Sequence, residues 1–209
     1  MGNIDRADWH YGGSYPPSLP RENGGTHIGM YLAWIVERGL ASARFVKEAG
    51  ASIEMLRERQ ITGRHLLFTE FDETFFDTLL TKIGKDFTRD YYATHAYFVD
   101  YASALADGLP STYHVDDSWE NYEKIRRVID ERFADWQRGV KPAPPAFYVE
   151  RKESERGYMD AVRQAAGQLN PDPRAAIKIF EAYLSTDPVE PYRDMAIKEL
   201  ERLWAKLAH

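Results

Sequence analysis

Apolar positions recur at helical spacing along almost the whole chain. From Thr26 onward, Ile28, Tyr31, Leu32, Ile35 and Val36 share one face and Gly39 supplies a stop, which predicts a helix to about Arg38 with Thr26 as its N-cap. Ser42 caps a shorter helix through Ala49, broken by Gly50, and another runs from about Ser52 to Gln60 around Ile53 and Leu56. Thr62 is placed to cap a turn through Phe68, and residues 70–80 read as an acidic, Phe-rich helix or turn. Residues 85–105 are again helical, with Phe87, Tyr91, Tyr92, Phe98, Tyr101 and Leu105 apolar and a break near Thr94. Ser118 then caps the strongest pattern: Trp119, Tyr122, Ile125, Ile129, Phe133 and Trp136 follow at spacings of 3, 3, 4, 4 and 3.

Residues 139–150, which open with Gly139 and carry Pro142, Pro144 and Pro145, read as an extended linker, with Ala146–Val149 the one short β-like run. Helical patterns follow at 154–169, 173–184 and 191–207, punctuated by Pro171, Pro173, Pro188 and Pro191. This tail is similar to a tetratricopeptide unit, although one unit without a repeat defines no array. The expected fold is all-α. It comprises an irregular Gly/Pro-rich N-terminal loop, a helical bundle in residues 1–138, and a small helical hairpin array in residues 151–209.

Composition narrows the function classes. The 209 residues contain no cysteine, which removes disulfides, thiolate metal sites and Cys nucleophiles and suits a reducing, cytoplasmic setting. No apolar leader or membrane-length apolar run is visible, so no membrane partner is expected. The net charge of −6 is concentrated: residues 66–124 carry 4 Lys/Arg against 12 Asp/Glu. Nucleic-acid binding needs a basic footprint, and an acidic segment suits a basic protein partner instead.

That acidic belt comprises Glu70, Asp72, Glu73, Asp77, Asp86, Asp90, Asp116, Asp117 and Glu120, with Tyr91 beside it as an aromatic anchor. It has no calcium-loop spacing. Neither G-x-S-x-G nor S-x-x-K occurs, and no histidine pair has metalloprotease spacing, so no catalytic residue, metal or cofactor is assigned. The glycine pairs Gly12-Gly13 and Gly24-Gly25 lack phosphate-loop context and are expected to permit positive φ or close packing. One constellation remains open. Asp8, His10 and His27 would meet if the Pro-rich turn folds the N-terminal loop back onto the first helix, giving a metal-assisted or acid–base site; otherwise both histidines are structural.

Asp8, His10, Tyr11, Gly12, Pro16, Leu19 and Pro20, followed by His27-Ile28-Gly29-Met30-Tyr31-Leu32-Ala33-Trp34, form a signature. It resembles the D-x-H-Y-G … H-I-G-M-Y-L-A-W pattern of an uncharacterised family of small bacterial proteins. Arg59–Arg64, Asp86–Tyr92 and Asp100-Tyr101 continue the likeness. The resemblance implies a loose association with secreted bacterial toxins, and so an immunity role. The expectation is a non-enzymatic immunity protein that neutralises a basic toxin domain through its acidic surface. The alternatives are an enzyme centred on Asp8, His10 and His27, and an adaptor that docks through the C-terminal helices.

Overall fold

The computed structural model describes residues 2–11, 15–167 and 173–207. Gly12, Gly13, Pro171 and His209 lie outside the described residues. The fold is all-α, with ten α-helices and one two-stranded antiparallel sheet among those residues. The chain divides into two compact units, Met1–Ala143 and Pro144–His209.

The first unit is built around α1, Thr26–Glu37, in which every residue from Thr26 to Val36 is buried. A helix apolar on one face only cannot sit this way. Here the polar members are matched individually: Tyr31 Oη bonds Thr88 Oγ1 at 3.1 Å and Trp34 Nε1 donates to Asp130 Oδ1 at 2.7 Å. Around α1 lie α2 (Ala43–Glu48), α3 (Gly50–Arg57), α4 (Gly63–Glu70), α5 (Lys82–Tyr91), α6 (Ala96–Leu105) and α7 (Trp119–Gln137). Side-chain caps at Ser42, Thr62, Thr81 and Ser118 satisfy the first backbone donors of α2, α4, α5 and α7. His95, at φ 64, divides α5 from α6, close to the break predicted near Thr94. The tyrosines are mostly core: Tyr31, Tyr91, Tyr92, Tyr97 and Tyr101 pack around one another within the cluster that also holds Trp34, Phe75 and Phe87.

Three local expectations are corrected and one is narrowed. Thr26 does not cap α1; a 3-10 turn over Arg21–Gly25 runs directly into the helix, and the Thr26 hydroxyl accepts from Arg64 instead. Gly50 starts α3 rather than merely ending α2. Of the helix or turn expected over 70–80, the turn is what forms, with strand in place of an α-helix: after α4 the chain reverses into β2, Thr74–Phe76, which pairs with β1, Asn3–Arg6, and a 3-10 turn follows at Asp77–Leu79. That strand is too short for its alternation to be legible, and its partner lies some seventy residues away. Ala146–Val149 is helical, because Pro145 at the N-cap position fixes extended backbone before the first turn of α8.

The closest approach in this unit is between α1 and the start of α4. A Cβ on Gly63 would lie 1.9 Å from the Gly29 carbonyl oxygen, and one on Gly29 would lie 2.2 Å from the Arg64 nitrogen. Both glycines are there so that two backbones can touch.

The second unit packs α8 (Ala146–Ala166), α9 (Pro173–Leu184) and α10 (Tyr192–Leu207) around Tyr158, Ile177, Phe180, Tyr183 and Leu203. Ser154 ties it together, accepting from Tyr183 Oη at its carbonyl (2.7 Å) and from Val189 N at its hydroxyl (3.0 Å). No helix of the described residues is long and apolar enough to cross a membrane.

Gly63→Ala is expected to cost about 3 kcal/mol, since the overlapping atoms are backbone and cannot swing aside. Gly50→Ala, with nothing within 4 Å, is expected to be neutral or to stabilise by about 0.5 kcal/mol. Urea unfolding of the two variants checks the contrast.

Candidate functional sites

The acidic belt does not form one surface. Its α5 part is engaged internally: Asp86 pairs with Lys82 (2.7 Å) and Arg89 (2.9 Å). Asp90 accepts from Trp136 Nε1 and meets Lys141 Nζ, both at 3.0 Å. Tyr91 is fully buried and donates to Asp100 at 2.9 Å, so its ring belongs to the core and not to a surface anchor. Asp117 is nearly covered, held by Thr62 Oγ1 (2.6 Å) and Arg64 Nε (3.0 Å); burial raises its carboxyl above the ordinary range, against the pull of Thr62 and Arg64. Glu120 pairs with Lys124 on the same helix, and Asp116 is exposed. Asp77 accepts from the Gly2 backbone, and Glu73 from Tyr11 Oη at 2.8 Å.

Besides Asp116 and Glu120, the belt residues open to solvent are Glu70, which accepts from Ser52 Oγ at 2.6 Å, and Asp72. Together with Glu48 they rim a groove of about 260 Å³ whose apolar walls include Phe71, Phe76 and Leu79. Arg44, also on the rim, is paired with Glu48 at 2.8 Å. Asp72 and Glu73 both have positive φ, at 46° and 60°, where the chain leaves α4 and reverses into β2. Two successive non-glycine residues in this region are held by their surroundings: Ala7 N bonds the Glu73 carbonyl and Thr74 Oγ1 bonds the Asp72 carbonyl, each at 3.0 Å.

A second site is buried in the same unit. His10 and His27 do meet, as the folding-back of the N-terminal loop requires, with ring centroids 4.6 Å apart. The carboxylate between them is Asp5, on β1, and not Asp8. Asp8 is exposed and holds Arg6 at 2.7 Å. Asp5 Oδ1 accepts from Arg6 N (2.8 Å) and faces His10 Nε2 (3.1 Å); Oδ2 accepts from Tyr92 Oη (2.6 Å) and faces His27 Nε2 (3.3 Å). Burial by itself would raise the Asp5 carboxyl, but hydrogen bonds from His10 and His27 outweigh it and hold the group well below the usual carboxylate range. Burial pushes the His27 imidazole down, toward its neutral form. Burial and the neighbouring carboxylate keep the Tyr92 phenol protonated, far above its ordinary value. On the outer side, Tyr113 Oη lies 3.3 Å from His10 Nδ1, and Phe98 packs against both imidazoles.

Nearby, Tyr11 and the second glycine pair are held by close contacts. Tyr11 reaches Glu73, and Gly24 lies against its ring, where a Cβ would come within 2.8 Å. Gly25 does the same under Phe68. Neither glycine has positive φ; close packing is their reason. Asp5 is the residue that the sequence pattern misses. Its only local signal is a buried acid in a four-residue strand, and the strand itself is visible only through its pairing with β2.

The first unit is therefore an α-helical domain with a buried Asp–His–His cluster at its N-terminal edge and an acid-rimmed groove beside its small sheet. Residues 3–115 match the domain of unknown function DUF7832, more than half of the chain, and the chain belongs to that family. The matched stretch contains the whole cluster and the groove, while α7 and the second unit lie beyond it. No curated protein and no solved structure matches the chain significantly.

Asp90 offers a test of how far the belt is structural. Burial works to raise its carboxyl, but the Trp136, Lys141 and Arg89 bonds outweigh this and hold it below the ordinary value. A depressed folded-state value stabilises above the unfolded-state value and is lost as pH falls through the folded one. Asp90→Asn is expected to cost about 1–2 kcal/mol at pH 7 and to flatten the loss of stability below about pH 4, read from urea midpoints across pH.

Proposed function

We propose that this protein is a protein-binding module of the immunity type, which captures a basic toxin domain at the groove rimmed by Glu48, Glu70 and Asp72. The observation that carries the proposal is the coincidence of three carboxylates with an apolar floor in one depression. A partner can insert an apolar or aromatic side chain between them and set Lys or Arg against the rim, and such a contact gains both burial and charge complementarity. The two left-handed residues at the tip of the 70–74 turn support it further, because strained backbone is retained where its geometry serves a purpose. The signature's resemblance to companions of bacterial toxins supplies the class of partner. The wider belt has no part in this: Asp86, Asp90 and Asp117 face partners within the fold.

The test is capture of partners by the full chain from its own host, at low and moderate salt, compared with the double variant Glu70→Lys/Asp72→Lys. Both side chains are exposed, but Asp72 holds φ 46° and Glu70 accepts from Ser52 Oγ, so the variant is expected to melt slightly lower and is compared well below its melting temperature. It is expected to lose capture of a basic, salt-released partner by at least ~10-fold. Undiminished capture by the double variant, or a partner that salt does not release, would contradict the groove as the interface.

A further inference from the structure

We propose that Asp5, His10 and His27 form a binding site for one divalent transition-metal ion, taken by two imidazole nitrogens and the Asp5 carboxylate. The site is separate from the groove and stands or falls independently of it.

The donor set is the first support. One ligand atom from each residue lies within 4.8 Å of the other two. Both Nε2 atoms face the same carboxylate, at 3.1 and 3.3 Å. Metal–nitrogen bonds of about 2.0–2.1 Å place neighbouring ligands about 2.9 Å apart at right angles and about 3.4 Å apart at the tetrahedral angle, so the His10 Nε2–Oδ1 and His27 Nε2–Oδ2 contacts each have the length of a coordination edge for a carboxylate that binds through both oxygens. Two imidazoles with one carboxylate is a set that Zn²⁺ and Fe²⁺ accept, while the hard Mg²⁺ and Ca²⁺ prefer oxygen alone.

The surroundings are the second support. Asp5 has four contacts, and they divide into two kinds. Arg6 N–H and Tyr92 O–H donate to the carboxylate and would stay in place with a cation bound, fixing its orientation. The two imidazole contacts are the ones a cation would replace. In the metal-free chain each Nε2–H faces the acceptor-only Asp5 carboxylate, and Tyr113 Oη lies within hydrogen-bond distance of His10 Nδ1. With a cation on Nε2 the proton sits on Nδ1, and the Tyr113 hydroxyl accepts it. A hydroxyl is both donor and acceptor, so Tyr113 can serve either state. Phe98 closes the apolar side of both rings, whereas His10 is partly open, with 16% of its side chain exposed, which leaves an approach from solvent.

The test uses the full, untagged chain stripped with a chelator and titrated with Zn²⁺ by calorimetry and with Co²⁺ by visible absorption. The expected result is one equivalent of metal per chain, Co²⁺ bands of a nitrogen/oxygen site and a raised melting temperature. His10→Ala, at a partly exposed position, is expected to fold and to lose the tight site. Tyr113→Phe, a positioning change, is expected to weaken Zn²⁺ by ~10-fold or more while lowering the metal-free melting temperature only slightly, since the lost hydroxyl is part-exposed. A wild-type chain that takes up no stoichiometric metal overturns the proposal and leaves a buried hydrogen-bonded network. So does a His10→Ala chain that binds as tightly as wild type, because the metal then sits elsewhere. Equal affinity in Tyr113→Phe overturns the role given to Tyr113.

Discussion

The architecture of the first unit depends on one backbone-to-backbone contact. Gly29 on α1 and Gly63 at the start of α4 approach so closely that neither position has room for a Cβ. That contact draws α4 onto a helix already buried on every side. It also places Arg64 where it can reach Asn23, Thr26 and Asp117. The loop before α1 is thereby pinned to the segment before α7. Without the close crossing, the Thr26 hydroxyl would lose its Arg64 partner and Asp117 its ion pair.

A second constraint follows from burying α1 so completely. Helix ends leave backbone groups without helical partners, and α1 begins inside the protein, directly after a 3-10 turn. His27 lies in its first turn. Its carbonyl accepts from Tyr97 Oη at 2.8 Å, and its ring faces Asp5. The N-terminal strand is therefore joined to the core by charge and hydrogen bonding more than by apolar area. A buried carboxylate met by four donors is a costly way to anchor a short strand, and it is stable only because each lone-pair direction is filled. The same arrangement presents two imidazoles and a carboxylate to one point, which is what links an anchoring network to metal chemistry.

The acidic character of residues 66–124 has two different physical meanings. On α5 and ahead of α7 the carboxylates neutralise arginine and lysine or accept from indole and hydroxyl groups within the fold. On the turn from α4 into β2 they stand at the surface over an apolar floor. Net charge along the chain does not separate the two, because a carboxylate counts the same whether it faces water or Arg64.

The sequence by itself determined the helices and most of their ends. Periodicity at 3.6 residues and capping by Ser42, Thr62 and Ser118 are local properties, settled within a few residues of backbone. It also offered His10 and His27 as a pair, through the Pro-rich turn, as one of two open readings. Only the tertiary structure decided that Asp5, rather than Asp8, completes their cluster. The strand that carries Asp5 exists through its pairing with Thr74–Phe76, and a contact across seventy residues leaves no local periodicity. It likewise decided which acids are free, and that Tyr91 is core. Burial and ion pairing depend on which side chains the fold sets opposite one another, and no single stretch of the chain contains that information.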